Sequence, residues 1–458
     1  MNKLRVLFIA PLPPPVHGSA MVSQYIKDSQ LVNEQYDCDF VNLSTSRRMD
    51  EIGKGGVKKI LRFVGAYLKT LWLLLTHRYD LCYLAITCHG IGFLKDAPFV
   101  WLCKMFGRRI VIHQHNKGMG NCIDRWPYRW LIPYIYKHAR VILLSWHLYP
   151  DIAQVVKREQ VVICPNGIAA EQQVNCDDSQ VNVASPRLNA AEQQVNCDAS
   201  QVNAPCAVNV ALPRLNAAEQ QVNSDESQVK SCVAAVKGDG REVNQSQGDD
   251  SPATPLRLTI SSAAINRSTA ASLTAHRSPL TVNLLFLSNL IPSKGVYVLL
   301  DACKMLKDWG LSFQCNFVGG ETKEIDRATF EGVVRECGLE GVVCYHGPKY
   351  GEEKEMYWQR ADVFVQPTYE DCFPLTIVEA MQHGKPVVST DEGAVPDIVL
   401  HGVNGFVCQR QDVDSLAEAL KQLINDPVLR HQMGEAGYAR YKEHYTLEAF
   451  ERRLVECL

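Results

Sequence analysis

The chain has 458 residues, enough for two domains or more, and 46% of them are hydrophobic, so sizeable cores are expected. The formal net charge is only −3 but it is unevenly distributed, because residues 1–168 contain 22 Lys and Arg against 11 Asp and Glu. A basic first part within a near-neutral protein favours an anionic surface or acceptor on that side. No nucleic-acid-binding motif is present, so we expect no nucleic acid among its partners.

Cysteine usage indicates a reducing compartment. The 17 cysteines are scattered without a Cys-x-x-Cys pair, and most lie inside apolar runs. Free cysteine in such runs behaves as a small hydrophobic residue, which fits the cytoplasm better than a disulfide scaffold. The spacing of His113 and His115 suits zinc, but no further Cys or His cluster completes a site, so we expect no metal.

No segment predicts a membrane span or a signal peptide. The apolar run Leu4–Ala10 ends in prolines without a cleavage pattern. The longer apolar segment Ile60–Leu75 is interrupted by Arg62 and Lys69 and is shorter than the ~20 residues that a span needs. It predicts an amphipathic helix, either buried or lying on a membrane.

The first third of the chain alternates between strand and helix patterns. Predicted strands are Leu4–Ala10, Cys38–Leu43, Leu81–Ile86, Ile110–His115, Val141–Ser145 and Val161–Pro165; predicted helices are Val57–Leu75, Phe93–Met105, Trp126–Ala139 and Pro150–Lys157. This alternation predicts an α/β domain with a doubly wound parallel sheet, whose ligands bind beyond the carboxyl ends of the strands. Gly18 ends a proline-rich loop after the first strand, where its backbone can approach a ligand closely.

Residues 169–279 differ from the rest of the chain. They contain no Phe, Tyr or Trp, and the phrase Ala-Ala-Glu-Gln-Gln-Val-Asn begins irregularly at Ala169, Ala190 and Ala217. A solenoid needs a fixed period and a repeated apolar face. A polar, aromatic-free segment buries too little surface to offset the entropy of ordering it, so we predict a disordered insertion.

The alternation resumes after the insertion. Predicted strands are Val282–Leu287, Phe313–Gly319, Val342–Gly347, Val363–Gln366 and Pro386–Thr390. Pro374 suits the start of a helix, Gly384 its end, and Gly393 precedes another helical start. Helix amino termini at the carboxyl ends of strands suit a phosphate, and the carboxylate of Glu379 can accept hydrogen bonds from vicinal sugar hydroxyls.

The stretch 363–407 resembles the signature of glycosyltransferase family 4. It carries Asp371 and Glu379 with seven residues between them, including Phe373-Pro374-Leu375, then Glu-Ala-Met, a Gly-Lys-Pro-Val-Val strand, and Asp397 where Glu is usual. The resemblance implies the GT-B fold, with two Rossmann-like doubly wound domains facing across a cleft. These are an acceptor-side domain (1–168) and a nucleotide-sugar-binding domain (280–444), and a terminal helix (445–458) crosses back to the first.

The resemblance also implies roles for individual residues. The hydroxyls of the transferred sugar would be held by Asp371, or by Glu370 one residue earlier, and by a histidine. His115 is the better match for that histidine and His113 is the alternative. Glu379 would hold the ribose. Lys294 matches the lysine that binds the donor diphosphate, whereas Asn289 stands in place of an arginine and removes a bidentate clamp. The remaining donor-binding candidates are backbone or apolar positions: Gly18, Phe373, Pro374, Leu375 and Gly393.

The implied activity is retaining, metal-independent transfer from a nucleoside-diphosphate sugar to a glycan or polyprenyl-diphosphate-linked acceptor. The expected setting is bacterial capsule, lipopolysaccharide O-antigen or exopolysaccharide synthesis. The expected location is the cytoplasm, peripheral on the anionic inner face of the plasma membrane. Two alternatives remain open, namely a GT-B nucleotide-sugar 2-epimerase, which needs no acceptor, and a non-catalytic nucleotide-sugar-binding subunit.

We predict that residues 172–277 can be replaced by a short Gly/Ser linker without loss of folding. Loop-closure entropy changes by only about 0.6 kcal/mol per doubling of loop length, so the shorter chain should be at least as stable. The thermal unfolding midpoints of the shortened and full-length chains, measured side by side, check this. A shortened chain that is insoluble while the full-length chain is soluble contradicts it.

Overall fold

The structure, a computed structural model, describes residues 3–15, 18–46, 56–170 and 281–458. The predicted insertion lies outside the described residues apart from positions 169 and 170. Two six-stranded parallel sheets form the framework, one before the insertion and one after it.

The first sheet has the strand order β2-β1-β3-β4-β5-β6. Its strands are β1 (Leu4–Ala10), β2 (Tyr36–Asn42), β3 (Leu81–Leu84), β4 (Arg109–Gln114), β5 (Arg140–Leu143) and β6 (Val161–Ile163). The apolar runs of the sequence supply these strands because a parallel sheet covered by helices is buried on both faces. The order reverses between β1 and β3, which places a topological switch point at their carboxyl ends.

Five α-helices connect these strands in the described part of the first half. They are α1 (Gly18–Asp28), α2 (Gln30–Gln35), α3 (Val57–Thr76), α4 (Gly90–Met105) and α5 (Tyr128–Tyr136). The predicted helix over 150–157 is wrong, since the chain forms a 3-10 helix over Trp146–Asp151 instead. Pro150 lies inside that turn, and Asp151 uses both carboxylate oxygens to bind the backbone N–H groups of residues 118–120.

The second sheet has the order β12-β11-β10-β7-β8-β9. Its strands are β7 (Val282–Leu287), β8 (Phe313–Val318), β9 (Val343–Tyr345), β10 (Val363–Gln366), β11 (Val387–Thr390) and β12 (Gly405–Cys408). Strand β12 was not predicted, because four residues that begin with a glycine after a turn show too little of a strand pattern. The order reverses between β7 and β10, so the second switch point lies at the carboxyl ends of those two strands.

Helices cover both faces of the second sheet and end the chain. They are α6 (Val296–Asp308), α7 (Arg327–Glu336), α8 (Gly351–Arg360), α9 (Leu375–Gln382), α10 (Val395–Ile398), α11 (Val413–Asn425), α12 (Pro427–His444) and α13 (Leu447–Cys457). The prediction that a helix begins near Pro374 and ends before Gly384 matches α9, which has Pro374 as its N-cap residue. Gly384 follows the helix with φ of 62°, a left-handed conformation that favours glycine.

The last helix packs on the first sheet rather than on the second. Phe450 and Leu454 of α13 are buried in the same apolar cluster as Val6 and Phe8 of β1. The Ile168 N–H donates to the Tyr445 carbonyl at 3.0 Å, where the chain leaves the first sheet. The two sheets therefore belong to one compact unit.

Two further features bear on the expectations from sequence. The 13 cysteines in the described part of the chain are free thiols, most of them buried. Among the helices that the structure describes, none combines the length and apolar character needed to cross a bilayer.

Candidate active site

An ion pair spans the switch point of the second sheet. Lys294 follows β7, Asp371 follows β10, and Lys294 Nζ lies 2.7 Å from Asp371 Oδ2. The same Nζ donates to the Glu370 carbonyl at 3.0 Å. In an open α/β sheet the crevice at this point is where ligands bind. The structure therefore brings together three predicted site residues, two from the signature and one from a turn about 77 positions earlier in the chain.

The turn that carries Lys294 is fixed against the loop that carries Asp371. Residues Pro292–Lys294 form a 3-10 turn, and the Ser293 carbonyl accepts from Tyr369 N–H at 2.9 Å and from Thr368 Oγ1 at 3.1 Å. Gly295 has φ of 87°, and a Cβ there would lie 2.1 Å from the Pro367 carbonyl oxygen. Only glycine allows this close packing, which sets the lysine beside the carboxylate.

A second glycine fixes the other side of the Asp371 loop. Gly393 has φ of 55°, and a Cβ there would lie 2.2 Å from the Asp371 carbonyl oxygen. The Ala394 N–H donates to the Cys372 carbonyl at 2.9 Å. Gly393 therefore acts by letting two backbone segments touch, whatever ligand contacts it also makes.

The first turn of α9 opens beside the ion pair. Asp371 Oδ1 accepts from Phe373 N–H at 3.1 Å, and Pro374 provides no side-chain cap. The ring of Phe373 is buried near Tyr445, with ring centroids 6.1 Å apart, so Phe373 can meet a donor only through its backbone. Leu375 is half-buried at the first helical position. The free N–H groups of this turn give the site a partial positive charge.

Glu379 lies further along α9, where three helices meet. Its Oε2 accepts from Lys354 Nζ of α8 at 2.8 Å. Burial, and next the charge of Glu379, raise the pKa of Tyr25 on α1 of the first half. Gly18, at the start of α1, also meets this region, because a Cβ there would lie 3.7 Å from Leu375 Cδ1. The first turns of α1 and α9 thus face each other.

Asn289 has a structural role in addition to any role with a ligand. Its Oδ1 accepts from Gly320 N–H at 2.9 Å, which holds the glycine turn after β8 against the loop after β7. The side chain is exposed, and its position after β7 matches the predicted one. An arginine here would provide the missing guanidinium but would lose this hydrogen bond.

The two histidines at the carboxyl end of β4, His113 within the strand and His115 just after it, lie against each other. Their ring centroids are 4.0 Å apart, and Tyr83 Oη is 2.6 Å from His113 Nδ1. Burial, and next the charge of His115, hold the pKa of His113 well below its usual value, so His113 is neutral. His115 is the half-buried member of the pair. The geometry therefore favours His115 over His113 for contact with a ligand.

Glu392 is the residue that sequence reasoning missed. Its carboxylate is 1% exposed and accepts from Asp371 N–H at 3.1 Å, from Arg410 Nη1 at 3.1 Å, and from Lys117 Nζ. Lys117 follows β4 of the first sheet, so this buried carboxylate ties both halves of the chain to the Asp371 loop. One signal was available in the sequence, since Glu392 is the second residue after the buried strand β11, and functional residues commonly follow parallel strands.

A second link between the halves lies next to the first. Asp397, on α10, accepts from Ser145 Oγ and lies 3.1 Å from His147 Nδ1. Its backbone carbonyl accepts from Tyr445 Oη at 3.0 Å. Asp397 therefore connects the segment after β5 with the second half.

A cavity of about 620 Å³ opens between the two halves. Its walls are residues that follow strands: His89, Gly90, Lys117, His147 and Asp151 from the first sheet, and Glu370, Asp391, Glu392, Gly393 and Arg410 from the second. Arg125 adds a third lysine or arginine to the wall. Within the described residues, no group of three or more His, Cys, Asp and Glu side chains could hold a metal ion. The cavity is a polar space beside Glu370, with four carboxylates and three lysine or arginine side chains in its wall.

Residues 280–440 match a family model described as "Glycosyl transferases group 1". Among curated proteins, the chain is 27% identical over 183 residues to the amylovoran biosynthesis glycosyltransferase AmsK of Erwinia amylovora, covering 39% of this chain and 44% of that protein. It is also 27% identical over 216 residues to the putative colanic acid biosynthesis glycosyltransferase WcaL of Salmonella typhimurium, covering 44% of this chain and 51% of that protein. The chain thus spans about half the length of these relatives, and its residues 280–440 are similar to the group 1 glycosyl transferases.

A solved structure shares the whole architecture. Anabaena HepE in complex with UDP superposes with a TM-score of 0.61 at 14% identity, covering 99% of each chain. At this identity the likeness shows the fold alone. The predicted fold class, two Rossmann-like parallel-sheet domains of the GT-B type, is confirmed.

We predict that Glu392→Gln destabilises the protein, because it replaces charge-assisted hydrogen bonds from Lys117 and Arg410 with weaker ones to a neutral amide. The expected cost is about 1.5–3 kcal/mol, since Lys117 and Arg410 keep 32% and 49% of their side chains exposed and are not left as buried charges. The thermal unfolding midpoint checks this against Asp391→Asn. Asp391 is the neighbouring carboxylate, also pairs with Arg410, and is 47% exposed, so its loss should cost about 1 kcal/mol or less. Equal midpoints for the two variants contradict the prediction.

Proposed function

We propose that this chain is a retaining glycosyltransferase of family 4 that moves a sugar from a nucleoside-diphosphate sugar to a glycan or polyprenyl-diphosphate-linked acceptor. The names of the relatives in amylovoran and colanic acid biosynthesis support a role in bacterial surface polysaccharide synthesis. Capsule, lipopolysaccharide O-antigen and exopolysaccharide are the polymers of this class. The proposed location is the cytoplasm, peripheral on the inner face of the plasma membrane.

The observation that carries the proposal is the Lys294–Asp371 pair at the switch point between β7 and β10, beside the open first turn of α9. A diphosphate placed there would meet the Lys294 ammonium and free backbone N–H groups together. Glu379 lies a turn and a half further along the same helix, where a ribose attached to that diphosphate would be held by its carboxylate. Asp371 and Glu370, with His115 from the first half, are the proposed contacts of the transferred sugar.

Catalysis in this proposal is electrostatic. The bond between the sugar and the diphosphate breaks as negative charge grows on the leaving diphosphate, and fixed positive groups stabilise that charge. In the structure Asp371 neutralises Lys294 at 2.7 Å, so an incoming diphosphate must compete with this carboxylate for the lysine. The proposed outcome is that Asp371 turns to the sugar hydroxyls when the donor binds.

The cavity favours transfer over the 2-epimerase alternative. It adds about 620 Å³ of space beyond Glu370, on the side of the first-half residues Lys117 and Arg125. A 2-epimerase acts on the donor alone and has no use for a second substrate space. Arg125 in the wall suits an acceptor that carries phosphate, whereas Lys117 and Arg410 are already paired with Glu392. Incubating the protein with donor alone distinguishes the two activities, because only an epimerase isomerises the sugar.

We predict that Glu379→Gln lowers transfer by roughly 10²- to 10⁴-fold, because two charge-assisted hydrogen bonds to the ribose, each worth about 1.5–3 kcal/mol, are weakened. The measurement is the initial rate of donor consumption with acceptor present.

The matched control is Lys354→Met, which breaks the same 2.8 Å ion pair but leaves the carboxylate. If Glu379 acts only as the partner of Lys354, both variants should lose activity equally. A large loss for Glu379→Gln with a small loss for Lys354→Met supports the ribose role. A Glu379→Gln protein with nearly full activity contradicts it.

We predict that transfer persists in excess EDTA, while Lys294→Ala severely weakens donor handling. The family's diphosphate-binding turn has an arginine and a lysine. Because Asn289 replaces the arginine, Lys294 is the one basic residue of that turn retained here, and the arginine cannot compensate for its loss. The KM for donor, measured with and without EDTA, checks both parts. Loss of activity in EDTA that added magnesium restores would show that a metal ion carries the diphosphate charge.

A further inference from the structure

The outer surface of α3, α4 and α5 is apolar. Large hydrophobic side chains are exposed along it: Val57, Ile60, Leu61, Val64, Leu68, Trp72 and Leu75 of α3; Ile91, Trp101 and Met105 of α4; and Trp126, Trp130 and Tyr134 just before and on α5. This set, here named the apolar helical face, includes more than half of the exposed large hydrophobic side chains in the described part of the chain. Exposed apolar patches of this extent mark interaction surfaces.

Helix α3 has two apolar sides, and only one packs within the chain. Phe63 and Tyr67 lie on the inner side, each with its ring centroid 5.6 Å from that of Phe99 on α4, and Leu73 and Leu74 are buried. At about 100° per residue, the seven exposed residues of α3 fall within an arc of about 120° on the outer side. An ordinary surface helix places polar residues there. The outer side of α3 therefore has the composition of an interaction surface.

The charge of the residues around the apolar helical face indicates the chemistry of the partner. Residues 56–140 contain 14 Lys and Arg against three Asp and no Glu, and one of those aspartates, Asp96, is buried. The rest of residues 1–168 is balanced, with eight basic and eight acidic side chains. Residues 56–140, which include α3, α4 and α5 together with β3 and β4, thus carry the whole positive excess of the first part. A second copy of this chain would bring like charge against it, whereas an anionic bilayer complements it.

The aromatic content agrees with a bilayer. Four of the chain's seven tryptophans, Trp72, Trp101, Trp126 and Trp130, lie on the apolar helical face. Tryptophan favours the boundary between lipid headgroups and acyl chains, because its ring is largely apolar and its N–H needs a polar partner. Lysine and arginine beside it reach the headgroups while their stems cover apolar surface.

The apolar helical face borders the cavity between the two halves. Ile91, 85% exposed, directly follows Gly90, and Trp126, 81% exposed, directly follows Arg125; Gly90 and Arg125 both line the cavity. We propose that the apolar helical face inserts into the surface of an anionic bilayer, so that the diphosphate of a lipid-linked acceptor enters the cavity beside it. The identity of the acceptor rests on the proposed glycosyltransferase function, but the docking itself does not.

The test is co-sedimentation of the full chain with phosphatidylglycerol–phosphatidylcholine vesicles, without donor or acceptor. Leu61→Gln/Leu68→Gln should bind roughly 10- to 100-fold more weakly than the unchanged protein, because two apolar side chains no longer enter lipid. The matched control is Val403→Gln/Val428→Gln, which changes two residues of similar exposure on the second half and should bind normally. Thermal unfolding midpoints confirm that both variants fold.

The salt dependence of vesicle binding distinguishes its electrostatic part from its apolar part. Binding of the unchanged protein to vesicles should fall as salt rises, since charge attraction is screened within about 10 Å at 0.1 M. A residual apolar component of binding should persist at high salt in the unchanged protein and be absent in Leu61→Gln/Leu68→Gln. Equal binding by that variant and the unchanged protein overturns the proposal. So does equal binding to anionic and to pure phosphatidylcholine vesicles. A dimer in sedimentation equilibrium that the variant abolishes, without vesicle binding, would instead assign the face to a second copy.

Transfer assays keep this inference separate from the proposed function. The Leu61→Gln/Leu68→Gln variant should act normally on a water-soluble acceptor and poorly on a vesicle-embedded one, which supports docking and transfer together. Loss on both acceptors in a folded variant contradicts a purely docking role for these residues. If the unchanged protein binds vesicles as expected but transfers no sugar, the docking proposal stands and the glycosyltransferase proposal is overturned.

Discussion

The buried carboxylate of Glu392 is the interaction on which the arrangement of the site depends. A carboxylate that is 1% exposed is stable only when it is fully paired, and here Lys117, Arg410 and the Asp371 N–H all bind it. These three partners come from the segments that follow β4, β12 and β10. Movement of one half against the other would remove Lys117 from this carboxylate and leave Arg410 and the Asp371 N–H as its partners. The Lys117–Glu392 pair therefore favours one position of Lys117 relative to the Asp371 loop.

Sequence patterns located the strands and one wall of the site because those signals are local. Val363–Gln366 is apolar enough to predict a buried strand, and Pro374 and Gly384 mark a helix by their backbone preferences. The spacing of Asp371 and Glu379 is likewise contained within one loop and one helix. By contrast, Lys117 and Glu392 are 275 positions apart, and nothing local in either segment specifies the other. Such a pairing depends on how two complete domains close, which short-range propensities do not encode.

Sequence reasoning also failed at residues that have a structural role in addition to the predicted ligand role. Asn289 is interpreted from sequence as a lost arginine, yet its oxygen holds the Gly320 N–H and so shapes the turn after β8. Gly393 is interpreted as a phosphate-approach position, and its left-handed backbone is already required by contact with the Asp371 carbonyl. In both cases the structural demand is enough to explain the residue. A ligand role must therefore be argued from the ion pair and the open helix turn beside them, not from these residues alone.

The distribution of charge connects the cleft with the outer surface. The positive excess of the first part lies wholly within residues 56–140, which include both the cavity-lining Lys117 and Arg125 and the helices of the apolar helical face. Had the excess served only a small anionic substrate, it would be concentrated at the cavity, and the outer side of α3 would be polar rather than apolar. A surface that is basic and apolar at once suits a substrate with an anionic head and a hydrophobic tail. The head would be bound in the cavity and the tail would stay in the bilayer, so one continuous surface meets both ends of the same molecule.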